Sequence, residues 1–147
     1  MRISVKDLKN HYVYTENSVN PLGKVKSVSC LKENGHIDSL LIEPLSLIPV
    51  AKRIKTNYIR NISDGKIVLS DDAFSGKSKT DSNSFLEDIQ IRGIQEKNAR
   101  LKKINNIFFS LETGEITEFV VRKNLFHKKE TLQANKITIK NDIIYID

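Results

Sequence analysis

One apolar pattern occurs twice in this chain, and it constrains the fold more than any other feature. Residues 21–43 read PLGKVKSVSCLKENGHIDSLLIE, and residues 100–122 read RLKKINNIFFSLETGEITEFVVR. Superposed, Leu22, Val25, Val28, Gly35, Ile37 and Leu41 fall on Leu101, Ile104, Ile107, Gly114, Ile116 and Val120. Gly35 and Gly114 stand 79 residues apart in a chain of 147, which leaves room for one small β unit per copy. A unit of that size buries only about 60% of its unfolded surface, so each copy is expected to lean on the other or on a partner.

The spacing within the pattern is informative. Inward residues of a flat strand lie two apart, yet Val25 and Val28, like Ile104 and Ile107, lie three apart. One extra residue at the same point of each copy predicts a bulge there. The turns that follow are Glu33-Asn34-Gly35 and Glu112-Thr113-Gly114. Asn-Gly favours a tight hairpin in which both residues take positive φ. The β-rich runs HIDSLLIE and EITEFVVR come next. Each copy then ends on a strand, a turn (Asp64-Gly65 or Asn141-Asp142) and a closing strand, Ile67–Leu69 or Ile143–Ile146. Upstream, Ser4 to Asp7 and Ser84 to Glu87-Asp88 both fit a serine-capped helical turn. Short strands over Tyr12–Thr15 and around Ile89–Ile94 should follow these turns. The polar run DDAFSGKSKTDSNS between the copies reads as a linker. The expected organisation is residues 1–70 as copy one, 71–83 as linker and 84–147 as copy two, with an all-β fold of two small barrels, each with a short helical turn.

Together, Leu22-Gly23-Lys24-Val25, Val28, Gly35-His36-Ile37 and Asp64-Gly65-Lys66-Ile67-Val68 resemble the PRC-barrel domain family. Copy two keeps the apolar skeleton but has Lys102 where the family usually has glycine. The acidic residue often found two places after the valine is replaced by Ser27 and Asn106. The resemblance implies two tandem β-barrels and a role in recognition. The family includes the cytoplasmic domain of a photosynthetic reaction-centre subunit and a domain of a ribosome maturation factor. It implies no shared catalytic residues and no cofactor.

The chemistry-bearing residues do not converge in sequence. Gly76-Lys77-Ser78 resembles the end of a phosphate-binding loop, but the required first glycine is Asp71 and no helix pattern follows. His11, His36 and His127 lack the paired spacing of a metal site, and one cysteine, Cys30, can build neither a disulfide nor a thiolate metal site. Cys30 falls on Phe109 of copy two, which predicts a packing position. Glu112, Glu115 and Glu118 flank a hairpin and should face solvent. No catalytic group, cofactor or metal ligand is assigned, and an enzyme is not expected. The run Ser39–Ala51 is interrupted by Glu43, Pro44 and Pro49 and is too short to span a membrane. With no apolar leader in the first ten residues, the chain reads as cytoplasmic.

The net charge is +6, split evenly at +3 in residues 1–74 and +3 in residues 75–147, so there is no basic arm. Two basic segments nevertheless occupy similar places after the repeated hairpin. Lys52, Arg53, Lys55 and Arg60 lie in copy one, and Lys123, Lys128 and Lys129 in copy two. These seven are the candidate contacts for an anionic partner. Trp is absent, which argues against a large aromatic binding surface. The expected function is a non-catalytic protein-interaction or scaffold module with a protein partner or with itself. The alternative is an RNA- or ribosome-associated maturation factor that binds through basic loops.

Overall fold

The computed structural model describes residues 1–45, 53–74, 85–86, 93–96, 102–122, 128–134, 136–141 and 143–146, with only the backbone considered at 85–86 and 93–96. Most of the chain's described residues lie in β-strands. Its strands are β1 (Arg2–Ser4), β2 (Tyr12–Thr15), β3 (Gly23–Leu31), β4 (Ile37–Pro44), β5 (Arg53–Lys55), β6 (Ile59–Ser63), β7 (Lys66–Leu69), β8 (Phe85–Leu86), β9 (Gly93–Glu96), β10 (Lys102–Ser110), β11 (Ile116–Arg122), β12 (Glu130–Gln133), β13 (Ile137–Lys140) and β14 (Ile143–Ile146). One helical turn, α1 (Val5–Leu8), follows β1, and short 3-10 turns cover Thr56–Tyr58 and Asp71–Phe74.

The strands form two sheets of the same design, in the orders β5-β4-β3-β2-β7-β6 and β12-β11-β10-β9-β14-β13. In each, the closing strand runs parallel to the entry strand: Val13 pairs with Ile67, and Ile94 with Ile144. The first and last strands of each path are neighbours in the chain, so each sheet curls back on itself. Among the described residues no ladder joins β5 to β6 or β12 to β13. The sheets are therefore open where closed barrels were expected. A 3-10 turn at Thr56–Tyr58 links β5 to β6.

The predicted bulges are present, and each copy has two. The β3–β4 register shifts between Val25 and Ser27 and again between Ser29 and Cys30. The β10–β11 register shifts at the equivalent places, between Ile104 and Asn106 and between Phe108 and Phe109. The first shift lets side chains three apart both face inward: Val25, Val28, Ile104 and Ile107 are all buried. The second puts its extra residue, Asp38 or Thr117, on the partner strand, so that Ile37 and Leu40, like Ile116 and Phe119, are three apart and buried; Cys30, two on from Val28, is fully buried. The hairpin turns differ from expectation. Only the final glycine of each takes positive φ, Gly35 at 74° and Gly114 at 77°. Copy two explains the shared geometry, since Thr113 is β-branched and would resist the left-handed region that Asn34 could have entered.

Two further expectations are corrected. Ser4 does cap α1, accepting the Asp7 N–H at 3.0 Å. Ser84 itself lies outside the described residues, but Phe85 and Leu86, where the second helical turn would begin, form strand β8. Ladder register explains the error. Arg2 pairs with Ser110 and Phe85 with Leu31, so Phe85 matches Arg2 rather than Val5, at an offset of 83 instead of 80. The linker also starts later than expected. Asp71–Phe74 forms a 3-10 turn that buries Ala73, and Asp71 accepts from the Asn17 backbone and side chain. The rest of the linker lies outside the described residues. The entry strand of copy two is seen at Gly93–Glu96, and residues 87–92 are not described.

The feature the sequence did not announce is an exchange. Strand β1, from the start of copy one, pairs with β10 in the second sheet, and β8, from the start of copy two, pairs with β3 in the first. The sheets therefore do not follow the segment boundaries read from sequence. Further links reinforce the exchange. Leu111 N–H donates to Met1 O at 2.9 Å, Lys6 N–H donates to Asn106 Oδ1 at 3.0 Å, and Ile37 N–H donates to Gly114 O at 2.7 Å. Arg2 stacks over the Phe108 ring at 4.4 Å and pairs with Glu118 at 2.7 Å. Buried residues of both copies, among them Val5, Leu8, Leu40, Ile67, Phe109, Phe119 and Ile144, form one hydrophobic cluster.

Candidate binding surfaces

Of the seven basic candidates, Lys52 and Lys123 lie outside the described residues. Arg53 and Lys55 lie on β5, with Arg53 half-buried and Lys55 exposed. Lys128 and Lys129 are exposed and lead into β12. In strand order β5 and β12 are equivalent, each being the outer neighbour of a hairpin strand, β4 or β11. The sequence comparison of the two basic segments thus reflects a shared position in the fold. Arg60 is different, because it starts the opposite end of the strand path on β6 and pairs with Glu16 at 3.3 Å. His127 and the Gly76-Lys77-Ser78 segment lie outside the described residues.

Lys55 also borders a polar cleft of about 250 Å³, where Asn34 and His36 of one hairpin meet Glu112 to Gly114 of the other. Its shape invites a ligand, but most of its polar atoms serve the turns that build it. Asn34 Oδ1 accepts from His36 N–H, Thr113 Oγ1 from Glu115 N–H, and Thr56 Oγ1 donates to Asp38 O. The Glu112 carboxylate holds the N-terminal ammonium and the Ser110 hydroxyl. That N-terminal contact is the main reason its carboxyl lies below the ordinary glutamate value. The cleft is best understood as the seam of the exchange. Among the described residues no cluster of three or more His, Cys, Asp or Glu side chains could hold a metal ion. No helix among them is long and apolar enough to cross a membrane.

A second surface escaped the sequence reading. Along β2, Val13 points into the core while Tyr12 and Tyr14 flank it on the outer face, with Tyr12 41% exposed. Tyr12 pairs with Lys24 on β3 and with Lys66 on β7. Lys24 Nζ lies 5.1 Å from the Tyr12 ring centroid, and Lys66 Nζ lies 5.6 Å from that of Tyr14. The sequence carried the alternation of Tyr12, Val13 and Tyr14, but the lysines join them only through the β3 and parallel β7 pairings.

No family model matches this chain, and no curated protein matches it. The two candidate surfaces therefore rest on this chain's own residues.

Proposed function

We propose that the chain is a non-catalytic interaction or scaffold module, built from two PRC-barrel-like repeats and acting on a protein partner in the cytoplasm. The observation that carries this reading is the reciprocal exchange of β1 and β8. It ties two marginal units into one body with a shared core. The same body leaves one side of β5, β6, β12 and β13 without a ladder partner among the described residues. Such edges can accept a strand from another chain, and main-chain hydrogen bonds would supply the affinity. Sedimentation of the purified chain, together with affinity capture using the intact chain as bait, tests the reading. A reproducible stoichiometric protein complex, or self-association, is expected. A strict monomer that captures no protein would overturn it.

The second reading is an RNA- or ribosome-associated factor. Exposed Lys128 and Lys129 at the same place in the strand order as Arg53 and Lys55 favour it. Replacing these four with Gln should weaken RNA binding and flatten its salt dependence.

A further inference from the structure

We propose that the outer face of β2 and its neighbours is a platform for single-stranded nucleic acid. This rests on the RNA reading but places contact on residues outside the basic loops. A strand advances about 3.3 Å per residue, so Tyr12 and Tyr14 present two rings on one face roughly 6.6 Å apart. Rings repeated along a strand can each take a base, because every base has a π-face and stacking is tolerant of sequence. Stacking alone would serve any flat ligand. The lysines make the choice of a polyanion.

Lys24 and Lys66 flank Tyr12 on both sides in the ladder. Among the described residues neither is ion-paired to a carboxylate, and their recorded partners are the tyrosine rings. A cation resting on a ring face is readily drawn to a phosphate, which leaves the ring for a base. Exposed Lys26, at the β3 bulge, extends the positive edge. Asn61 and Ser63 of β6 lie beyond Lys66 and carry no charge that would repel a backbone. Glu43 opposite Lys24 is the acidic exception in the row. An acidic protein would use the lysines but gain nothing from two rings at base spacing.

Copy two does not repeat the arrangement. Ladder register puts Gly93 and Gln95 at the places of Tyr12 and Tyr14, and Ile143 at that of Lys66. The platform therefore belongs to one sheet, whereas the fold belongs to both.

Titration of the intact chain into end-labelled short oligouridylate and oligothymidylate, followed by fluorescence anisotropy of the label, tests this, since that readout survives replacement of the tyrosines. Binding at low salt is expected. Replacing Tyr12 and Tyr14 with Thr, which keeps strand propensity, should lower affinity by roughly tenfold per ring, while Phe at both should retain it. Lys24→Gln and Lys66→Gln should each reduce the salt slope by about 0.7. Tighter binding of one oligonucleotide assigns RNA or DNA as the natural class. The proposal is overturned if neither binds, or if polyglutamate competes equally. It also falls if the Thr variants bind like the parent while Gln at Arg53, Lys55, Lys128 and Lys129 abolishes binding. That last result would leave the RNA reading standing without the platform.

Discussion

Single residues at the seam carry more than their types suggest. At Gly114 a methyl group would run into the Ile37 carbonyl oxygen, on a backbone already at φ 77°. At Gly65, φ is 74° but nothing lies within 4 Å of an added Cβ. Gly65→Ala should therefore cost only the left-handed penalty, about 1 kcal/mol, while Gly114→Ala should cost about 3 kcal/mol or more. Urea midpoints of the two variants check this; equal losses would mean the close approach to Ile37 is not rigid. Asn106 stands where the resemblance leads one to expect an acid. Its Oδ1 accepts both the Ile107 N–H at the bulge and the Lys6 N–H of α1. Asn106→Ala should lose about 1–2 kcal/mol, and Asn106→Asp should recover most of it, because the acceptor is kept. The sequence showed that this slot differs, but not what it holds. Glu112 gives a pH signature. The N-terminal ammonium, then its backbone hydrogen bond, lower its pKa below the ordinary 4.5. A depressed carboxyl adds stability above its unfolded pKa and loses it as pH falls through the lower folded value. NMR titration should find the Glu112 midpoint below the ordinary glutamate value, and N-terminal acetylation should bring it back towards that value. The pair is solvent-exposed, so its effect on stability is small and screened by salt.

At the scale of elements, the legible parts were those with internal periodicity. Nine residues of β3 and of β10 carry a bulge that the three-residue spacing foretold. Deleting Asn105, the extra residue of the first β10 bulge, would remove the bulge yet leave Ile104 and Ile107 two apart, on the same inward face of a regular strand. Circular dichroism of that deletion should therefore still show a cooperative melt; loss of cooperative folding would mean that the bulge itself, and not only the inward spacing, is required. Strands β1 and β8 were not legible. At three and two residues they are too short to show alternation. Their partners are set by backbone hydrogen bonds, which any sequence can form. The entry turn was predicted correctly in copy one because Ser4 is a true cap. It failed in copy two because a serine before a strand looks the same in sequence as a serine before a helix.

At the scale of the molecule, the exchange makes one prediction that separates it from two tethered domains. Severing the chain within residues 75–84 should leave both pieces associated, since each sheet holds a strand of the other piece. Size-exclusion chromatography should elute them together, and either piece alone should show a weak or absent thermal transition. Two pieces that separate and each melt cooperatively would remove the interlock. By itself the sequence determined the class of structure: a doubled, bulged, Gly-turned hairpin in an all-β chain, with Cys30 inside. Local patterns suffice for that, because side-chain alternation and turn chemistry act over a few residues. Only the tertiary structure decided the reciprocal pairing of β1 and β8, the open curl of the sheets and the meeting of Tyr12 and Tyr14 with Lys24 and Lys66. Those depend on which edges remain unpaired after the hairpins form, and an edge offers every strand the same row of donors and acceptors.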